Sequence, residues 1–423
     1  MFFYLFLFFE LLSIYFYMTG GPLGPAFFIA NILIVLFSRN SMLYKMLVLL
    51  TMSLPFSFIG IAGMEMIHVL SWYNFFLVVF LALFFPRLKL SVPAGSGILL
   101  IFMCLVLSTL WAFDPAKAWI EICQIMVMLL PTALVFSSRS ILPINSEETN
   151  RLVAVYGHVT FLTAVGMLIQ YYFIFFRGTQ IGLVNFTGNG RISCYALFRG
   201  ASILPVYMGS GLVTLFMQNL SKKSLIDIIE ILIIFLAMIL NSSRAGVFAL
   251  FCIIGYVMIM RTIKKFSIGT LFLLIALFII GFLGLGLLMS TREGLESFTD
   301  ENGREVTFIN GIDIWLASPR NFLFGEGFTG GMWEGITKTH NFIIQTLAQN
   351  GIIVASIIFT MILAFIRKIR KTPLKYIAWF VVLSGMLVTD FYANAFTSIV
   401  FILVSFHRAH PEVTGAVKYK KLL

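Results

Sequence analysis

Lys338-Thr339-His340-Asn341-Phe342-Ile343-Ile344-Gln345-Thr346-Leu347-Ala348-Gln349-Asn350-Gly351 closes the longest polar segment of an otherwise apolar chain. It also opens a strongly apolar helix that runs to about Phe365. A loop therefore meets a membrane-length helix here, with His340 and Asn341 at the helix N-terminus. Backbone N–H groups at such an end lack intrahelical acceptors and the helix dipole is positive there, which suits anionic ligands. The same field disfavours imidazolium, so His340 is expected to stay neutral and able to accept a proton. Capping the helix or satisfying a loop carbonyl is the plainer role for the same side chain.

The rest of the chain agrees with a membrane setting. Hydrophobic residues make up 60% of it and charged residues 11%, and the mean hydropathy is +0.99. These values exclude a soluble class. Apolar runs recur throughout, most of them long enough to cross a hydrocarbon core ~30 Å thick. They predict an all-α, polytopic protein of about fourteen spans, or twelve to fourteen, at 2–18, 24–37, 46–63, 67–85, 97–112, 118–136, 152–176, 201–217, 225–240, 243–260, 266–290, 341–366, 376–389 and 391–406. The last two are short and meet at Asp390, so they read equally as a tight hairpin or a re-entrant pair. Residues 1–423 form a single membrane domain, with 291–340 as its one large loop. Phe2 to Met18 lacks a basic leader and a small-residue cleavage site, and is read as a retained span. Cys104, Cys123, Cys194 and Cys252 are scattered, with neither metal spacing nor a disulfide framework.

Charge sets the expected topology. With both termini in the cytoplasm, 20 of the 29 Lys and Arg lie inside. The nine outside are Lys117, Arg177, Arg191, Arg199, Arg244, Arg292, Arg304, Arg320 and Lys338. That asymmetry follows the positive-inside rule, with Arg261–Lys265 and Arg367–Lys375 as anchors, and it puts 291–340 outside. The net charge of +11 thus reads as topology, not as nucleic-acid binding.

The outer arginines are the exception that the rule does not explain. Arg191 and Arg199 fall in the loop Arg177–Gly200, which has no Asp or Glu and five glycines besides, counting Gly200. Such backbone can approach an anion closely. Arg244, in Asn241-Ser242-Ser243-Arg244-Ala245-Gly246, and Arg292 stand at outer span ends, where an arginine is expensive and usually has a partner. Within 291–340, Phe308, Ile309, Ile312, Trp315 and Leu316 recur at helical spacing, an amphipathic helix that Ser318-Pro319-Arg320 stops. Phe324-Gly325-Glu326-Gly327-Phe328-Thr329-Gly330-Gly331 then reads as a hinge, and the pair as a lid over an outer cavity.

Three of these features resemble the O-antigen ligase and Wzy-type polymerase superfamily of bacterial membrane glycosyltransferases. They are His340-Asn341 followed by Leu347 and Gly351, the stretch Ser243-Arg244-Ala245-Gly246, and Pro319 followed by Gly325-Glu326-Gly327. The resemblance is best over 241–360. An acidic residue that the family often carries just before the final glycine is replaced here by Gln349 and Asn350. The resemblance implies an inner-membrane enzyme with a periplasmic active site, and a glycan donor on undecaprenyl pyrophosphate. An acceptor hydroxyl attacks the anomeric carbon with inversion. It implies Arg244 at the pyrophosphate by motif, with Arg191, Arg199 and Arg292 joining by position. His340 is the base or acceptor-positioning group and Asn341 supports it. Without an outer acidic cluster, no metal and no cofactor are expected. The partners implied are the lipid-linked oligosaccharide, membrane lipid and a chain-length regulator protein.

Polymerase and ligase share this donor and differ in acceptor, a lipid-linked repeat unit or lipid A core. Fourteen spans favour the polymerase. A secondary transporter or lipid flippase is the reading from another class, and it calls for ionisable residues near the bilayer midplane. Glu10 and Glu121 are the nearest in sequence, neither with an evident partner.

Overall fold

Turn chemistry and side-chain caps decide where the helices begin and end. The first two, α1 (Phe2–Met18) and α2 (Leu23–Leu36), flank the glycine-rich turn at Gly20. The Oγ of Ser41 accepts from Tyr44 N at 3.3 Å to start α3 (Met42–Met52), and Ser71 Oγ accepts from Asn74 N at 3.3 Å to start α4 (Trp72–Phe84). Next come α5 (Val92–Ser108), α6 (Pro115–Ser138) and the long α7 (Ser146–Arg177). Asn145 starts α7 with a capping box: Glu148 N donates to Asn145 Oδ1 at 2.7 Å and Asn145 N to Glu148 Oε2. Each such cap contributes about 1 kcal/mol. The other oxygen of Glu148 accepts from Ser41 N at 2.9 Å, tying the starts of α3 and α7 together.

A short antiparallel hairpin follows α7, β1 (Val184–Phe186) paired with β2 (Ile192–Cys194). Then come α8 (Ile203–Gln218), α9 (Leu225–Leu240), α10 (Arg244–Lys264), α11 (Arg304–Leu316), α12 (Pro319–Phe324), α13 (Phe342–Ile369), α14 (Lys375–Gly385) and α15 (Ala395–Ala409). This computed structural model describes residues 2–61, 71–112, 115–138, 142, 144–186, 192–198, 203–218, 225–241, 244–264, 275, 279, 304–327, 339, 341–370, 372, 374–386 and 394–409.

The architecture is all-α, as the hydropathy predicts. Four described helices are long and apolar enough to cross a membrane: Val92–Trp111, Ala118–Ser138, Ser146–Arg177 and Phe342–Ile369. Most of the remaining apolar helices run 10–17 residues, short of the ~20 that a perpendicular crossing needs. The stretch 46–63 is not one span: α3 stops at Met52, and Pro55 turns the chain through a 3-10 turn at Leu54–Phe56. Proline removes a backbone donor and clashes with the preceding helical turn, so the apolar run cannot continue as helix. The expected span 266–290 lies outside the described residues, apart from two isolated positions.

The chain divides into two compact units. The first comprises Met1–Phe85, Pro143–Gly294 and His410–Leu423, the second Pro86–Leu142 and Leu295–Ala409. In the first, α7 is the central strut, buried along most of its length against α1, α3, α8 and α9. Helices α7 and α8 approach closely because a Cβ on Gly211 would lie 2.3 Å from the Thr160 side chain. Small residues permit such backbone contact where no water-driven hydrophobic force operates. In the second unit, Ile101, Cys104 and Leu105 of α5, Ala118, Ile122 and Ile125 of α6, and Val354 and Ile358 of α13 form one core cluster.

Candidate functional site

The chain on both sides of His340 is pinned. Thr339 is buried, its N–H donates to Gln345 Oε1 at 3.0 Å, and its hydroxyl lies 3.0 Å from Asn341 O. Asn341 is the N-cap of α13: its Oδ1 accepts from Ile343 N at 2.9 Å and Ile344 N at 3.2 Å. Two of the orphan donors expected to face an anion are therefore taken by the chain's own amide. Asn341 thus fixes where the helix begins. The amphipathic helix α11 forms as expected and packs on this corner, since a Cβ on Gly311 would meet Thr339 and Ile344 at 2.7 Å. His340 itself lies outside the described residues.

Helix α13 is broken at Gly351, whose φ of 68° and ψ of 179° are not helical. Loop residues fill the break. Glu326 N donates to Ala348 O and Gly327 N to Gln349 O, each at 2.9 Å. Carbonyls that would otherwise be freed by the break are thus paired, as buried backbone requires. Gly325, at φ 75° and ψ 175°, lies against the same joint. A Cβ there would come within 2.3 Å of the Gln349 backbone, and one on Gly351 within 2.3 Å of Leu323 O. The expected hinge is therefore anchored through Gly327, and its later part lies outside the described residues.

The short helix α12 holds the anchor in place. Ser318 caps it, accepting from Asn321 N at 3.1 Å, with Pro319 in its first turn. Asn321 Nδ2 donates to Ile314 O at 3.0 Å and also to the Glu326 carboxylate. Arg320 adds an ion pair to Glu326 at 3.2 Å, and its guanidinium lies 5.4 Å above the Trp111 ring. The indole of Trp111 donates to Gly325 O at 3.2 Å. Glu326 is thereby occupied as a structural acceptor. Trp111, which no sequence motif singles out, closes the joint from the 3-10 turn at the end of α5.

Two buried amides beside the break have unused capacity. Asn350 is 1% exposed with neither Oδ1 nor Nδ2 paired, and Gln349 Oε1 is unpaired too. A buried polar group without a partner costs about 1–3 kcal/mol. These residues stand where the resemblance expects an acid, and they supply a donor and acceptors instead.

In the first unit, the structure brings together the flanks of three candidate arginines. Asn241, three residues before Arg244, donates from Nδ2 to Cys194 O at 2.6 Å on the strand that Arg191 precedes. Phe198, beside Arg199, stacks on Tyr207 of α8 with centroids 5.1 Å apart. Gly246 in α10 contacts the same end of α8, where a Cβ would lie 2.9 Å from Pro205. Arg244 is the first residue of α10; Arg191, Arg199 and Arg292 lie outside the described residues. The glycine loop is less open than expected, because Gly182 N already donates to Met18 O at 2.7 Å. Gln170 braces this loop with bonds to Ile181 O and Ala196 N, each 2.7 Å. Burial pushes the Cys194 thiol up to about 11, which removes thiolate chemistry at neutral pH.

Buried ionisable groups also find partners in the first unit. Asn31 Nδ2 donates to Glu10 Oε2 at 2.8 Å between α1 and α2, so Glu10 is partnered after all. Glu121, in the second unit, is not isolated either. His158 Nδ1 and Glu230 Oε1 lie 3.0 Å apart between α7 and α9. Helical spacing placed both in spans, but only the packing shows that they meet. Among the described residues no cluster of His, Cys, Asp or Glu could hold a metal ion. No family model matches the chain, and no curated protein matches it.

Proposed function

We propose that the chain is a bacterial surface-polysaccharide polymerase, moving glycan from undecaprenyl pyrophosphate to a lipid-linked repeat unit at the periplasmic face. One observation carries this reading. The stretch from His340 to Gly351 and the run Gly325-Glu326-Gly327, separate motifs in the sequence, are bonded to each other at the break in α13. Their common order with the glycosyltransferase superfamily thus has a physical basis as one built joint. In this reading His340, one residue before the cap, takes or orients the acceptor hydroxyl proton. Arg244, with Arg191, Arg199 and Arg292, neutralises the leaving pyrophosphate. The amides of Asn350 and Gln349 face the neutral hydroxyls of the sugar, because a mixed donor and acceptor set matches hydroxyls better than an anion.

The test replaces His340 in cells that depend on this chain for long surface glycan. His340→Ala is expected to lose ~10²–10⁴-fold of polymer formation at equal protein level, the usual worth of acid–base assistance. Arg244→Lys should lose most activity as well, since an ammonium cannot reproduce a bidentate guanidinium contact. Lipid carrying a single repeat unit marks a failed polymerase, and no attached glycan at all marks a failed ligase. Transport is a second reading, favoured by the buried pairs Glu10–Asn31 and His158–Glu230. Normal polymer in His340→Ala together with its loss in Glu230→Gln would move the assignment there.

A further inference from the structure

We propose that the second unit holds one anionic phospholipid, with an acyl chain in a groove between α5, α6, α13 and α15 and its phosphate at Lys368. A cavity of about 390 Å³ lies where the start of α5, the end of α6 and the last turns of α13 converge on α15. The convergence is fixed by contacts. Lys89 N donates to Ser138 Oγ at 2.6 Å, Phe136 and Phe365 rings lie 5.2 Å apart, and Phe365 and Phe401 rings 4.7 Å.

The lining is almost wholly apolar, with Met128, Ala133, Ile362 and Phe401 among its residues. Its hydroxyls are largely spent: Thr132 Oγ1 donates to Met128 O at 2.9 Å and lies 2.7 Å from Ser398 Oγ. At ~30 Å³ for a group the size of water, the cavity takes on the order of a dozen methylene-sized groups. Small residues at the start of α5, Pro93 and Ala94, keep it open. On α13 the exposed residues Thr360, Ala364 and Lys368 recur every fourth position and border it as one stripe.

Charge at one end of the groove selects the headgroup. The Lys368 ammonium stands 5.1 Å over the Phe136 ring and has no ion-pair partner among the described residues. Residues 86–100, 122–142 and 351–389 contain no Asp or Glu, yet carry Arg87, Lys89, Arg139, Arg367, Lys368, Arg370, Lys371 and Lys375. An ammonium without an ion-pair partner among the described residues, beside an apolar slot, matches a phosphate attached to a fatty chain. The site is independent of the glycosyl-transfer reading. It requires only that α5, α6 and α13 cross the bilayer, and these are three of the four helices long enough to do so.

The test uses the full purified chain, with retained lipid counted by native mass spectrometry against phosphatidylglycerol and phosphatidylcholine of identical chains. One phosphatidylglycerol should be retained with a preference of roughly five-fold, the effect of one basic side chain near an anionic headgroup. Lys368→Gln should erase the preference while still retaining lipid. Ala364→Trp, which fills the groove, should lose both lipids, whereas Leu363→Trp on the neighbouring exposed face should lose neither. Inorganic phosphate should not compete. Equal retention of the two lipids by the unaltered chain overturns the proposal, as does retention unchanged in Ala364→Trp or a second copy of the chain in place of lipid. If Ala364→Trp does not fold, the Lys368→Gln comparison still decides.

Discussion

Asn350 sits fully buried with its whole amide unpaired, one residue before a helix break. Two explanations differ in what happens to activity. If the amide only fills space, Asn350→Leu removes an unsatisfied group of similar volume and should raise stability without touching activity. If it meets a sugar hydroxyl, the same change leaves the melting temperature level or higher and cuts activity about tenfold, the worth of ~1.4 kcal/mol in one hydrogen bond. We expect the second outcome, checked by thermal unfolding beside an assay of chain elongation. A fall in both quantities would place Asn350 in a structural network, and unchanged activity would remove it from the site. Asn341 is a different case. Capping was weighed above for His340, yet Asn before an apolar helical run is itself an N-cap signal, and Asn341 is the residue that caps. Its neighbour Gln345, which accepts from Thr339 N, gave no such sign, since a glutamine's partner depends on how the loop folds back.

The joint between α12 and α13 depends on two glycines in a backbone region that other residues hardly adopt. Gly325 and Gly351 both combine φ near +70° with extended ψ, and each lies against the other's strand of chain. Gly351→Ala should cost about 1–3 kcal/mol from backbone strain alone, and the close contact with Leu323 O adds to that. Gly325→Ala should cost a similar amount. Because both break the same pair of hydrogen bonds, the double variant should fall short of the sum of the singles. Denaturant unfolding of the four proteins measures this, and full additivity would mean that the two breaks are independent. The break could not have been read from the sequence. Apolar periodicity continues past Gly351 through Ile352, Ile353 and Val354, and an isolated glycine inside a helical pattern is usually tolerated. The end of α3 was a similar case: Pro55 is visible, but the surrounding run is apolar enough to hide its effect. Helix positions elsewhere follow the hydropathy closely, because burial in lipid or protein makes the same demand on residue type. The pairings Glu10–Asn31 and His158–Glu230 were hidden for the opposite reason, as contacts between distant helices leave no local pattern.

At the scale of the whole molecule the proposal depends on sidedness, which charge alone specifies. Placing both termini inside leaves 20 of 29 basic residues inside, and it puts the segment between α10 and α13 on the opposite face from Arg367–Lys375. Moving a basic cluster across the membrane is opposed by each Lys and Arg near a span end, so clusters at both flanks act together. The chain's nine outer cations then need a reason to be there, and a pyrophosphate on the lipid donor provides one for Arg191, Arg199, Arg244 and Arg292. Single cysteines in a background with the four native ones replaced test the arrangement. Glu301→Cys should react with an impermeant maleimide in cells whose inner membrane is intact, and Lys371→Cys only after that membrane is opened. Reversal of the two would put His340 on the cytoplasmic side, where a periplasmic acceptor never arrives. In that event glycosyl transfer by this chain at the outer face is excluded, whatever the effect of replacing His340.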